Sequence, residues 1–463
     1  MTITDLAQKL YNEKLKTELQ PVNCELRTPV HVVYGGADRF SAETPNKLGK
    51  LALKSLETFA PNFVEFANAF WLKGCDTLPL YEDIIADLEF KLIENAEKVK
   101  HENFPAWFAW TTYNRTIEKI KREPIEDFRI DFEDGFGIRS DEEEDKHALN
   151  ASEQLAISTL NSQYSTHFCG FRIKSFQSET YFRAVRTLEL FLSNLFEKTN
   201  GILPNNFVVT LPKITRAEEV TVLDKILSEF EREHNLPQNS IKIEIMIETP
   251  EAVLNARQIA LSAKNRIVAA HFGAYDYTAS FGITAVHQHL KHDACDFARN
   301  FMQISLSPLG IRLSDSVTTE MPIPIHKGEN LSAQQVKENK LVVQKAWRLH
   351  FNNVTHSLIN GFYQSWDLHP AQIVARYAAV YSFFLESFES QANRLKSFMD
   401  KATKATISGN QFDDAASAQG LLNYFLRGLS CGALLENEVA NSIGLSIDEL
   451  KTASFVKIME SRN

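Results

Sequence analysis

Eight short apolar strands alternating with amphipathic helices predict an α/β protein: a (β/α)8 TIM barrel with an N-terminal helical insertion and a C-terminal helical extension. Three observations carry that expectation. The strands end near Tyr34, Glu133, Ile173, Leu211, Glu248, Phe272, Ser316 and His369. Helical periodicity fills the intervals, with one surplus block between the first strand and the second. Acids gather at several strand carboxyl ends, the face on which such barrels do chemistry. The barrel is therefore assigned to 1–40 and 128–375, the insertion to 41–127, and a lid or oligomerisation segment to 376–463.

The most informative stretch is Ile241–Gly282. Isoleucine at every second position from Ile241 to Ile247 predicts a strand with one face in a core, ending on Glu248. Thr249 and Pro250 fit an N-cap and first helical residue, with a helix running through Ala263. A second strand, Ile267–Phe272, leads through Gly273 to Asp276. Two acids at consecutive strand ends suit a hard divalent cation such as Mg²⁺, with Mn²⁺ as a substitute; they also suit plain solvation.

From the start of the chain, Ile3–Leu19 has the pattern of an amphipathic helix. Pro29–Tyr34 is a strand that turns out through Gly35 and Gly36 to Arg39, which is open to reading as a surface turn residue or as an anion contact. Helical periodicity recurs over Asn46–Phe59, Leu80–Val99 and Trp107–Lys121, broken at Pro61, Pro79 and Pro105, and predicts a helical cap whose aromatic residues serve packing. Phe128–Glu133 alternates as a strand and ends in Asp131, Glu133 and Asp134, acids that repel unless something positive offsets them. Asp141–Asp145 reads as a solvated helix start. His167–Ile173 presents Arg172, whose planar fork suits a carboxylate; Phe207–Leu211 runs into Lys213, a surface lysine or a substrate contact. Ile311–Ser316 and Gly361–Pro370 complete the strands, and from Val374 the chain is helical. Asp413 fits an ordinary N-cap.

With 463 residues and 44% hydrophobic composition, the chain can bury a large core. A net charge of −10 without basic runs argues against nucleic acid or a membrane surface as partner. The five cysteines are scattered and form no C-x-x-C pair, as in reduced thiols of a cytoplasmic protein. No opening signal peptide or bilayer-length apolar run is read.

The words IETPEAVLNARQIA and FGAYDYTASFG, together with FRIDFED, FRIK, LPKITRAEEV, RLSD and LHPAQI, resemble the citrate lyase beta-subunit family and the related 2-oxo-diacid aldolases. The resemblance covers most of 29–40 and 128–425. It implies a Mg²⁺-dependent carbon–carbon lyase acting on a hydroxy acid or its acyl-CoA ester. Glu248 and Asp276 would hold the metal, with Asp131, Glu133 and Asp134 around it. Arg172 would grip the substrate, assisted by Arg39 and Lys213, and Asp413 would handle the proton from a lid lent by a neighbouring subunit, which implies a homo-oligomer. Departures from the family pattern occur at Gly36, Lys174, Ser316 and Gln364-Ser365. A malate-synthase-like condensing enzyme, a 2-oxo acid aldolase and a non-catalytic ligand-binding barrel are the alternatives.

Overall fold

The computed structural model describes residue 9 and residues 27–161, 166–263, 265–400, 406–408, 411–413, 415–454 and 457–458. The helix expected at Ile3–Leu19 lies outside the described residues apart from Lys9. Eight parallel strands close a barrel in sequence order: β1 (His31–Gly36), β2 (Asp127–Asp131), β3 (Phe168–Arg172), β4 (Phe207–Leu211), β5 (Lys242–Ile247), β6 (Ile267–Phe272), β7 (Arg312–Val317) and β8 (Gln364–Asp367), with β8 returning to β1. The predicted (β/α)8 class is therefore the observed one.

Between β1 and β2 stand α1 (Thr44–Phe59), α2 (Phe63–Phe70), α3 (Glu82–Glu102) and α4 (Phe104–Arg122). Asn62 caps α2 by accepting from the Val64 and Glu65 amides, and Asn103 caps α4 through the Ala106 amide. Of these, α1, α2 and α4 pack on the outer layer against α12 (Ala333–Ile359) or α13 (Gln372–Leu385), and α3 packs on α4. Phe70 stacks on Trp347 with centroids 5.7 Å apart, and Tyr113 Oη donates to the Pro61 carbonyl. The remaining crossovers are α5 (Asp141–Leu160), α6 (Tyr181–Lys198), α7 (Ala217–Glu233), the pair α8 (Pro250–Leu254) and α9 (Ala256–Leu261), then α10 (Ala274–Ser280) and α11 (Asp293–Leu306).

Two details differ from the sequence reading. The single helix expected over 249–263 breaks at Asn255, whose backbone (φ −99°, ψ 10°) leaves the helical region although its amide still bonds the Glu251 carbonyl. The acids of 141–145 do begin a helix, capped by the reciprocal Ser140–Glu143 box, but they are not all solvated. Glu144 is buried against Lys174 at 3.1 Å and Thr187 at 2.6 Å, and Asp145 binds Arg183 and Arg186.

Clustering of the fold separates 28–388 with 431–434 from a second unit that includes 389–430 and 435–463. Within the second unit, α14 (Phe388–Asp400) precedes a hairpin of β9 (Thr406–Ser408) and β10 (Gln411–Asp413), followed by α15 (Ala415–Ser430), α16 (Glu436–Ile443) and α17 (Ile447–Lys451). The four described cysteines are free thiols, and no helix among the described residues is long and apolar enough to cross a membrane.

The barrel is fastened where its first and last strands meet. Asp367, fully buried at the end of β8, accepts from His31 Nδ1 at 2.8 Å, His350 Nε2 at 2.8 Å and Arg376 Nη2 at 2.6 Å. His31 in turn accepts from the Glu126 amide through Nε2, so one carboxylate joins β1, β2, β8, α12 and α13. Burial opposes its charge, but Arg376 and the two imidazoles win and hold the Asp367 carboxyl well below the usual carboxylate range. Replacing Asp367 by Asn should cost about 3–5 kcal/mol of stability, because it strands a buried guanidinium. A group with a depressed folded pKa stabilises above its unfolded value, so this contribution should be full at neutral pH, begin to fall below about 4 and be gone only once pH has passed the depressed folded value. Thermal melts of parent and variant across pH 3–7 check both statements: the gap between the two curves should hold down to about pH 4 and narrow below it.

Candidate active site

Alternate residues of each strand face the barrel axis, and here many of them are polar. Arg129 on β2 pairs with Asp127 on the same strand and with Glu244 of β5 at 3.3 Å. Glu244 also accepts from Tyr34 Oη at 3.0 Å and Thr210 Oγ1 at 2.8 Å, which with Arg129 keep it ionised despite burial. Gln364 of β8 reaches Asp127 at 2.9 Å. This charged column replaces the branched apolar layers usual in such barrels.

At the carboxyl-end rim, Asp131 organises the β2 turn. Its two oxygens accept from the Glu133 amide at 3.0 Å and the Gly135 amide at 2.7 Å. They also take the Arg172 fork, Nε at 2.7 Å and Nη2 at 2.6 Å. A Cβ on Gly135 would stand 2.5 Å from Asp131 Oδ2, so this turn requires glycine. Arg172 lies over the rings of Tyr34 and Trp366, 5.0 and 5.5 Å from their centroids, and its third nitrogen, Nη1, approaches Glu133 at 3.2 Å. The guanidinium is buried yet secure in its charge, because Asp131 and Glu133 outweigh desolvation.

Lys213 follows β4 in the left-handed region, φ 52°. That conformation directs its amide at Glu248 Oε1, 2.5 Å away, while its ammonium binds Glu133 and reaches Asp134 at 3.0 Å. Glu248 ends β5 almost fully buried. Its other oxygen faces the turn after β6, where a Cβ on Gly273 would lie 2.5 Å from Oε2. Asp276 occupies the first turn of α10 and is exposed. Burial, then the charge of Asp276, raises the Glu248 carboxyl to about 8. Among the described residues neither acid forms an ion pair with a lysine or arginine, and no group of three or more His, Cys, Asp or Glu forms a metal cage. Two adjacent carboxylates without a protein counter-ion fit a hard cation that completes its shell with water and substrate oxygens.

The fold thus brings Glu248, Asp276, Lys213, Glu133, Asp131 and Arg172 to one rim. Asp134 sits at its edge, 60% exposed. Arg39 is 75% exposed and pairs with its own neighbour Asp38 at 3.8 Å, as a turn residue would. Asp413 closes strand β10 of the second unit, and its side chain lies outside the described residues. Asp315 points away from the axis to Arg299 and Ser357, and Gln372 ties the His369 turn to the Thr318 carbonyl; both hold the fold together. Sequence reasoning missed Tyr34, Arg129, Glu244, His271 and Trp366, although the polar half of each strand's alternation marked most of them.

A family model described as "Domain of unknown function (DUF6986)" matches residues 11–458. The chain belongs to the DUF6986 family. No curated protein matches it. Among solved structures, a citrate lyase from Burkholderia xenovorans LB400 aligns with this DUF6986 chain at TM-score 0.52 and 18% identity, over 71% of this chain and 91% of its own. CitE from Mycobacterium tuberculosis, in complex with magnesium, acetoacetate and coenzyme A, aligns at TM-score 0.45 and 15% identity, over 69% and 95%. A Haloferax volcanii malate synthase in a magnesium/glyoxylate complex aligns at TM-score 0.42 and 15% identity, over 55% and 66%. At these identities the likeness to the Burkholderia protein is one of fold.

The Glu248 carboxyl gives a pH test of the rim. Its folded pKa lies above the unfolded value, so its contribution to stability is full below about 4.5 and is lost as pH rises through about 8. In EDTA, the melting temperature should fall between pH 5 and 9 more steeply for the parent than for Glu248→Gln, which carries no titrating group there. Parallel curves would show that the carboxylate is not strained.

Proposed function

We propose that this DUF6986 protein is a divalent-cation-dependent carbon–carbon lyase acting on a small hydroxy acid or its acyl-CoA ester, by aldol or Claisen-type cleavage. The observation that carries the reading is Glu248: a buried carboxyl beside Asp276, with no lysine or arginine paired to either among the described residues. A fold shared with a Burkholderia citrate lyase supports it, as do the sequence words at the strand ends.

Glu248 and Asp276 are the proposed holders of Mg²⁺ or Mn²⁺. When bound there, the cation supplies Lewis-acid stabilisation of negative charge developing on a substrate oxygen. The protein supplies the rest. The Lys213 amide fixes Glu248 Oε1, leaving Oε2 toward the β6 turn. Arg172 orients the acid through Nη1, since Nε and Nη2 are committed to Asp131, and the Tyr34 and Trp366 rings prevent it from swinging away. Glu133 sets the approach of Nη1 and the Lys213 ammonium together. As the family resemblance implies, Asp413 on a lid lent by a neighbouring subunit is the proposed group that moves the proton at the carbon from which the bond is broken.

Glu248→Gln should abolish Mn²⁺ binding, read by electron paramagnetic resonance, together with turnover. Retained turnover in that variant defeats the assignment. Asp131→Asn should weaken cation affinity about 10–100-fold through its loss of hold on Arg172 and Glu133. Product analysis with glyoxylate, pyruvate and oxaloacetate, each with and without acyl-CoA, separates cleavage, condensation and aldol chemistry. Ligand stabilisation that needs no metal would favour a plain binding protein.

A further inference from the structure

Beneath the rim acids, the barrel contains polar atoms that the protein leaves unmatched. His271 on β6 and Ser314 on β7 are register partners on neighbouring strands, and both are fully buried. Trp366 of β8 packs edge-on to the imidazole, with centroids 5.6 Å apart, and Tyr34, whose ring is 4.3 Å from the indole, lies on the same side at 5.9 Å. Among the described residues, His271 Nδ1 and Nε2, Ser314 Oγ and Trp366 Nε1 all lack a hydrogen-bond partner. Among the adjoining groups Tyr34, Thr210, Glu244 and Gln364 are all engaged, and Arg129, paired through its terminal nitrogens, leaves only its Nε unmatched. Protein interiors rarely leave several such atoms side by side unless water or a ligand meets them.

The donor set defines what fits. Burial pushes the His271 imidazole down to about 4, so it is neutral near pH 7 and offers one N–H and one lone pair. The indole only donates, and the serine hydroxyl does either. Nearby charges are already matched, Glu244 by Arg129 and Arg172 by Asp131, so no net charge invites an ion. An ammonium would face the indole N–H, and an apolar group would leave every orphan unmet. Glu248 and Gly273 lie two residues further along β5 and β6 than Met246 and His271, or about 7 Å, roughly the reach of a short organic acid.

We propose that His271, Ser314 and the indole N–H of Trp366 form an enclosed site for one uncharged oxygen, supplied by water in the resting protein and by a substrate hydroxyl or carbonyl when an acid is bound at the rim. The second half rests on the lyase reading above; the first does not. His271 would then be a specificity-determining residue of the interior, separate from the metal-holding pair.

The test uses the full chain. One crystal structure is determined with Mg²⁺ alone and one with Mg²⁺ and malate, alongside melting temperatures of His271→Phe and Ser314→Ala. We expect oxygen density within hydrogen-bonding distance of at least two of the four orphan atoms in the first structure, and a lower melting temperature in both variants. Carbon-only surroundings, or variants that melt higher than the parent because an unmet polar atom has been removed, overturn the site. Ser314→Ala keeps the question answerable if His271→Phe does not fold. With malate, a ligand oxygen at this point and an approximately tenfold weaker malate affinity in Ser314→Ala support the substrate role; water density persisting beneath bound malate overturns it. Mn²⁺ binding followed by electron paramagnetic resonance should be unchanged in both variants. Its absence from the parent would sink the rim reading while leaving the interior result to stand by itself.

Discussion

The bidentate pairing of Arg172 with Asp131 is the contact from which the rim is built. Asp131 has no lone pair to spare: it holds two turn amides and two guanidinium N–H groups. Because the turn is fixed, Glu133 meets the last nitrogen of Arg172 and the ammonium of Lys213. Lys213, anchored by that ammonium, can keep its amide against Glu248 in a backbone conformation that a lysine rarely adopts. A chain of charge-assisted bonds thus runs from β2 to β5, and it leaves the outer oxygen of Glu248 facing the turn that carries Asp276. The acids at the second strand end, which repel in isolation, are reconciled by two cations from the third and fourth strands.

How much of this the chain discloses without coordinates depends on the residue. Strand ends were legible because apolar alternation followed by a glycine or an acid is a local signal, and Glu248, Asp276, Arg172 and Lys213 were found by it. Commitment to a partner is not local. Nothing near Arg172 tells that an aspartate 41 positions earlier occupies two of its three nitrogens, or that the Arg39 turn keeps to itself. Acids at 144 and 145 look solvated until α6 brings arginines beside them. The helix break at Asn255 is one residue's departure from helical angles, which propensity alone does not disclose.

Isoleucines at alternate positions of β5 predict a strand with one face in a core, and that pattern does not tell what the other face meets. In a closed barrel both faces are buried: the isoleucines meet the helices, and Glu244 and Met246 face the axis. A glutamate in such a strand therefore signals a matched charge inside, here Arg129. Alternation that means amphipathicity in an open sheet means two kinds of burial in a barrel.

The Asp367 junction also bears on how the chain is made. β1 takes one neighbour from β2 and the other from β8, and the His31–Asp367 contact spans 336 positions of sequence. During synthesis, seven strands emerge before the closing one, so the growing sheet exposes two unpaired edges for most of its time on the ribosome. Barrel closure is thus a late, long-range event, and until the final strand arrives the open edges stay exposed to wrong pairing.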